Sequence, residues 1–255
     1  MSVRQVTGAA AVVLAPNPGP MTLEGTNTWV LRAPDSHGCV VVDPGPLHEQ
    51  HLAEVAACGS VEVVLLTHGH LDHSEGAARF AELVGAGVRA LDPAHRLGEQ
   101  GLAEGDVVAA AGVELHVLHT PGHTSDSLSF VLRADGERDA VLTGDTVLGR
   151  GTTVVAHPDG VLADYLASLR RLRAFEDATV LPGHGPELAS AGEAAERYLA
   201  HREQRLEQVR AAVAAGAADA RAVVETVYAD VDPVLWDAAE LSVRAQLAYL
   251  RGERA

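Results

Sequence analysis

"LLTHGHLDHSEG", residues 65–76, places three of the chain's 13 histidines and an aspartate within six positions, directly after an apolar run. The run, "VEVVLLTH" (61–68), is continuous in aliphatic residues, as expected of a strand covered on both faces. Ligand-type side chains then crowd the loop at its end. One reading is a histidine-rich polar turn. The other is a metal site. His68 and His70, one residue apart at a strand-to-loop junction, can turn both imidazoles toward one ion, and Asp72 and His73 can face a second. Neutral imidazole and carboxylate are the donors of catalytic zinc sites, which leave a coordination position for water.

Three later stretches share that placement. "HTPGHTSDS" puts His123 in a glycine-containing turn after a strand, "LTGDTV" puts Asp145 just past an apolar strand, and "LPGHGPE" puts His184 between two glycines after another. Loops at strand ends are where function concentrates, and strand ends on one sheet edge can converge from distant sequence.

Further out, "AAAVVLA" (9–15), "TNTWVLRA" (26–33) and "GCVVVDPG" (38–45) read as strands. "PLHEQHLAEVAAC" (46–58) reads as a helix with Pro46 in its first turn. A second helix is expected from Ser74 as N-cap through Val84. Shorter strands follow at "GVRALD", "VELHVLHT", "SLSFVLR" and "AVLTGD", then a helix over 160–174 and a last strand at "ATVLPGH". That alternation predicts a layered α/β fold. Beyond Pro186 the pattern turns helical, over 190–215, 219–229 and 233–251, with Gly216 and Pro233 as breaks. The expected division is a catalytic domain over 1–187 and a helical appendage over 188–255.

The assembled pattern, HxHxDH…H…D…H, resembles that of the metallo-β-lactamase superfamily, and within it the glyoxalase II-like hydrolases. All seven ligand positions have a matching residue. The resemblance implies that His68, His70 and His123 hold a first zinc, that Asp72, His73 and His184 hold a second, and that Asp145 bridges them. Iron or manganese are the alternative metals. It implies a four-layer αββα sandwich with the site at one edge, followed by a helical, winged-helix-like C-terminal appendage. It also implies hydrolysis by a hydroxide formed from water at neutral pH, with Asp72 orienting it. "NPGPMTLEGTNTWVL" (17–31), "GRGTTVV" (149–155) and "YLAHREQR" (198–205) are similar to the lactamase-beta-like protein 2 branch, whose animal members are described as single-strand endoribonucleases. The first of these stretches reads as a loop bordering the site, with Asn27 and Thr28 expected at the substrate.

Composition bears on partners. The chain has no lysine and no isoleucine, which suits a GC-rich bacterial genome, and a net charge of −16. Residues 1–187 hold 11 arginines against 24 acids, and residues 188–255 hold 8 against 11. A surface this acidic repels polyanions unless arginines gather locally. Arg170, Arg171 and Arg173, and the series Arg197, Arg202, Arg205 and Arg210, are the candidates. Interleaved glutamates make a solvated helix face the better reading of both. The leading expectation is therefore a small acyl substrate, a thioester or ester. Single-stranded RNA comes second, then β-lactam hydrolysis or an iron-dependent persulfide dioxygenase. No apolar stretch reaches the ~20 residues of a membrane span, so a cytoplasmic protein without a membrane partner is expected. Cys39 and Cys58 lack metal-binding spacing and read as buried reduced thiols. His37, His48, His51, His95, His116, His157 and His201 read as solvated, and His119 as a strand-surface residue.

Overall fold

Alternate residues of the strands separate into different cores. In the computed structural model, which describes residues 3–98, 100–133 and 138–253, two sheets lie face to face. The first has strands β1 (Arg4–Gln5), β2 (Ala10–Leu14), β3 (Asn27–Leu31), β4 (Gly38–Val42), β5 (Ser60–Leu65) and β6 (Val88–Arg89), in that order. The second has β7 (Val107–Ala110), β8 (Val113–His119), β9 (Leu128–Arg133), β10 (Ala140–Gly144) and β11 (Thr179–Pro182), in the order β11-β10-β9-β8-β7. Strands β4, β5 and β6 run parallel, as do β10 and β11, and the other pairings are antiparallel.

Trp29, Leu31, Val40, Val42 and Leu65 point inward to meet Leu128, Phe130, Leu132, Leu142 and Leu181 of the facing sheet. Their neighbours Val30, Cys39, Val41 and Val64 point outward, under helices α1 (Glu49–Ala56) and α3 (Ala77–Val84). On the other side Val131, Val141 and Val180 lie under α4 (Leu162–Leu172) and the first half of α5 (Ala191–Ala214). A slip of one residue in any strand would exchange inner and outer sets, so the register is strongly specified. The result is the expected αββα order. The last turns of α5, with Val209 and Ala212, form a separate core with α6 (Ala220–Val227) and α7 (Trp236–Leu250). Among the described residues after 187 there is no strand, and no helix is long and apolar enough to cross a membrane.

The helix expected from Ser74 is broken in two. Ser74 ends a single turn, α2 (Leu71–Ser74), and its hydroxyl donates to the Gly69 carbonyl. Gly76 then separates α2 from α3 because its backbone N–H donates to the Gly45 carbonyl at 2.9 Å. A Cβ at Gly76 would lie 2.9 Å from that same carbonyl oxygen, so the 43–46 loop can press in only against glycine. His51 also departs from the sequence reading. It faces inward from α1, fully buried, with Nε2 2.9 Å from the Thr28 hydroxyl.

Strand direction places the site. β4, β5, β8, β10 and β11 all end at one edge, since β8 and β10 each run antiparallel to β9. There the sheets are tied together. Leu128 N–H donates to Thr67 O at 2.7 Å, Asn27 N–H to Gly183 O at 2.8 Å, and Trp29 Nε1 to Pro182 O at 3.0 Å.

Candidate metal centre

The loop after β5 and the turn α2 bring His68, His70, Asp72 and His73 to this edge. Across from them stand His123 in the β8–β9 turn, Asp145 after β10 and His184 after β11. His70 Nδ1 lies 3.1 Å from His68 Nε2 and 3.1 Å from His123 Nε2. His184 Nε2 lies 3.2 Å from His73 Nε2 and 3.1 Å from Asp72 Oδ2. Asp145 stands between these groups, Oδ1 3.4 Å from His73 Nε2 and Oδ2 3.5 Å from His184 Nε2 and 3.7 Å from His123 Nε2. Each trio, His68–His70–His123 and Asp72–His73–His184, has its donor atoms within 4.8 Å of one another.

Most of the imidazoles are locked from behind. His123 Nδ1 faces the Val154 carbonyl at 2.7 Å, and His184 Nδ1 faces the Gly25 carbonyl at 3.1 Å. His73 Nδ1 faces Asp43 Oδ2 at 2.9 Å. Thr67 donates its hydroxyl to the same Asp43 oxygen at 2.6 Å, leaving its own oxygen to accept from His68 Nδ1 at 3.0 Å. These acceptors put the protons on Nδ1 and leave Nε2 lone pairs facing inward. Asp43 thus orients one histidine of each trio. It sits just past β4 at φ 53°, a left-handed conformation that aspartate tolerates better than most residues.

The arrangement fits cations. Four-coordinate zinc at its usual bond lengths places donor atoms about 3.3 Å apart, close to the spacings within each trio. In the first trio, lone pairs aimed at one another cannot satisfy each other, and the buried Oδ1 of Asp145 makes no hydrogen bond. A shared positive ion answers both. The backbone leaves room for this crowding at Gly183, where a Cβ would lie 2.5 Å from Asp145 Oδ1 and 2.8 Å from His73 Cε1.

Electrostatics divide the two trios. Burial pushes His68 well below the usual imidazole range, helped by the neighbouring histidines, and burial likewise lowers His123. Burial acts the same way on His73 and His184, but carboxylates outweigh it. Asp145 and Asp43 hold His73 well above its ordinary value, and Asp145 with Asp72 raises His184 to about 9. Asp145 itself is far below the carboxylate range, its burial outweighed by those histidines. In the metal-free chain the carboxylates thus favour an added proton within the second trio, while His68 and His123 stay neutral with their single proton on Nδ1. Cation uptake is expected to release roughly one to two protons per chain, and about one fewer in His184→Ala. Calorimetric titration in buffers of different ionisation enthalpy reads this directly, and uptake without proton release would contradict the assignment.

All seven expected ligands converge. Asn27 and Thr28, expected at the substrate, are placed otherwise. Asn27 donates from Nδ2 to the Pro182 and Gly185 carbonyls at 3.0 and 2.8 Å, and the buried Thr28 hydroxyl pairs with His51. Both face the protein, and Asn27 braces the loop that carries His184. His119 is half-buried at the end of β8, its Nε2 3.0 Å from Ser125 O. Arg202 is buried rather than solvated, and Arg205 is half-buried. Both cysteines are free, Cys39 buried and Cys58 partly so. Sequence reasoning missed Asp43, which "GCVVVDPG" offers only as a turn residue, and Thr67. Its one usable signal was a carboxylate at the end of the strand adjacent to the histidine-bearing one.

Two sheets thus lie under helices, with paired histidine and aspartate donor sets at their strand ends that could hold cations. The chain belongs to the metallo-beta-lactamase superfamily, whose family model matches residues 21–184, a span that holds all seven donors. A second match, to the beta-lactamase associated winged helix domain, covers residues 220–254. The chain is 34% identical over 209 residues to an atrochrysone carboxyl ACP thioesterase of Aspergillus fumigatus, an alignment covering 77% of this chain and only 62% of the fungal protein. It is 28% identical over 280 residues to a beta-lactamase-like protein 2 homolog of Drosophila melanogaster, covering 99% and 91% of the two chains. A beta-lactamase domain protein of Burkholderia ambifaria has the same fold, with a TM-score of 0.80 at 24% identity over 98% of this chain and 88% of the other.

Proposed function

We propose that the chain is a hydrolase that takes two divalent cations, zinc by its donors, and cleaves a small acyl thioester or ester. The observation that carries this reading is the pair of three-donor sets on either side of Asp145, with the side chain of Asp72 29% exposed at their mouth. Nitrogen and carboxylate donors without thiolate suit zinc among the common cations. Such ions, when bound, lower the pKa of water toward ~7 and polarise a carbonyl oxygen. The protein's own part falls to Asp72. Burial raises its pKa, but His184 and His73 outweigh this and hold it below its ordinary value. It is thus ionised at neutral pH, reachable from solvent, and able to orient a water and accept its proton. In this reading residues 1–187 carry the chemistry and residues 188–255 form the appendage.

The substrate class rests on what surrounds the mouth. Leu71 lies between His70 and Asp72 and is exposed, as are Leu47 and Met21 on the two loops that adjoin the site. Apolar side chains there suit an acyl group. A polyanion would need a cluster of free arginines, and most of those singled out in the sequence are engaged. Arg202 is buried, Arg205 donates to the Val227 carbonyl, and Arg171, Arg173 and Arg210 pair with Glu104, Glu196 and Glu207, which leaves Arg170 and Arg197 exposed and apart from any such cluster. The likeness to a fungal thioesterase supports the same choice. The test is turnover of an acyl-thioester, a β-lactam and labelled single-stranded RNA side by side across a salt series. Thioester cleavage that changes less than about two-fold between ~50 and ~200 mM salt is expected, because no counterions are released. RNA cleavage that outpaces it and falls steeply with salt would replace this reading with a nuclease.

A further inference from the structure

The segment "YLAHREQR" (198–205) lies on α5, outside the metal-ligating loops, yet its side chains reach them. Tyr198 and Arg202, four residues apart and so on one helix face, both contact the loop that runs from β10 to α4. The Tyr198 hydroxyl accepts from Leu148 N–H at 2.9 Å and donates to Leu148 O at 3.3 Å. The Arg202 guanidinium donates through Nη2 to the Thr153 carbonyl and lies 5.1 Å from the centre of the Tyr165 ring. Tyr165 in turn donates to the carbonyl of Thr146, the residue after Asp145.

Arg202 is 3% exposed, forms no ion pair among the described residues, and its buried Nε has no partner. A guanidinium held from water without a carboxylate is costly, and a leucine or methionine would fill the same volume without that cost. Its one strong contact meets the backbone at the point that serves the metal centre. Thr153 Oγ1 lies 3.1 Å from His123 Nδ1, and the next carbonyl, Val154 O, lies 2.7 Å from the same nitrogen.

We propose that Arg202 is a positioning residue for the first cation. By holding the Thr153 carbonyl it fixes the backbone whose Val154 carbonyl and Thr153 hydroxyl orient His123 with Nε2 toward His70. Lysine is a poor substitute, since a single ammonium cannot stack on Tyr165 while it donates to the carbonyl. The helical region after the catalytic layers thereby contributes to metal affinity without supplying a ligand. Arg205, three residues on, points to the other side, donating to Val227 O at 2.7 Å and lying 4.6 Å from the Tyr228 ring centre. It belongs to the contact with α6.

The inference rests on His68, His70 and His123 acting as cation ligands. It is tested by competition titration with a chromophoric chelator, using zinc, in two backgrounds. In His184→Ala, which cripples the second trio, Arg202→Ala should weaken the remaining binding step by about 10–100-fold, the range for residues that orient a ligand. In His123→Ala, which cripples the first, the same change should alter the remaining step less than two-fold. Millimolar guanidinium should restore part of the loss in Arg202→Ala, and Arg202→Lys should fall between. Thr153→Val keeps the chain's shape and removes the hydroxyl from His123, so it should weaken the same step even if Arg202→Ala does not fold. Equal losses at both steps, or none at either, overturn the proposal. Wild-type protein that takes up no cation would defeat the metal reading itself, and this inference with it.

Discussion

Asp145→Ala is expected to empty both cation sites and reduce turnover by about 10³-fold or more, the equivalent of losing several kcal/mol of charge stabilisation. Its carboxylate reaches histidines of both trios, and its buried Oδ1 makes no hydrogen bond. Removing it also takes from His73 and His184 the carboxylate that most strongly raises them, leaving Asp43 beside the one and Asp72 beside the other. Elemental analysis after dialysis, set beside turnover on the cleaved substrate, checks this. A folded variant that keeps two ions per chain would remove Asp145 from the bridging position.

Asp72→Asn should separate chemistry from binding. The amide can still offer an oxygen to the second trio, but it cannot take a proton from water. Metal content should stay close to that of wild type while kcat falls by about 10²–10⁴-fold, the usual contribution of a placed general base. KM should change little, because Asp72 faces the cations and not the acyl group. A variant with full turnover on a substrate that the wild type cleaves would refute the assigned role.

How much of this was legible in the sequence depends on how local each interaction is. His68, His70, Asp72 and His73 lie in one loop, so their spacing alone announces them. His123, Asp145 and His184 are scattered, but each marks the end of an apolar strand, and strand direction brings such ends to one edge. The strands themselves were legible as runs rich in β-branched residues, but "TNTWVLR" and "GCVVV" bury both faces, so which side chains meet the second sheet and which meet the helices emerges only in the fold. Asp43 was not legible, because its partners Thr67 and His73 come from elements that only the folded sheet sets beside it. Asn27 and Thr28 misled in the opposite sense: polar residues near a site read as substrate contacts, and the fold spends them on its own carbonyls and on His51. Arg202 shows the limit of charge patterning. Glutamates around it suggest a wet face, yet Tyr198 and Leu206, at four residues on either side, lie on the buried stripe and carry it inward.

Each trio draws two members from the loop after β5 and its third from the facing sheet. Coordination therefore crosses the gap between the two halves of the sandwich at the edge where they meet. The free energy of loading adds to the cohesion of the sheets, by about 4 kcal/mol for each site when free cation stands a thousand-fold above its dissociation constant. If the two trios load as proposed, metal supply would bear on the lifetime of this protein as well as on its rate. A cell starved of cation would hold chains that open more often at that edge, and proteases would remove them.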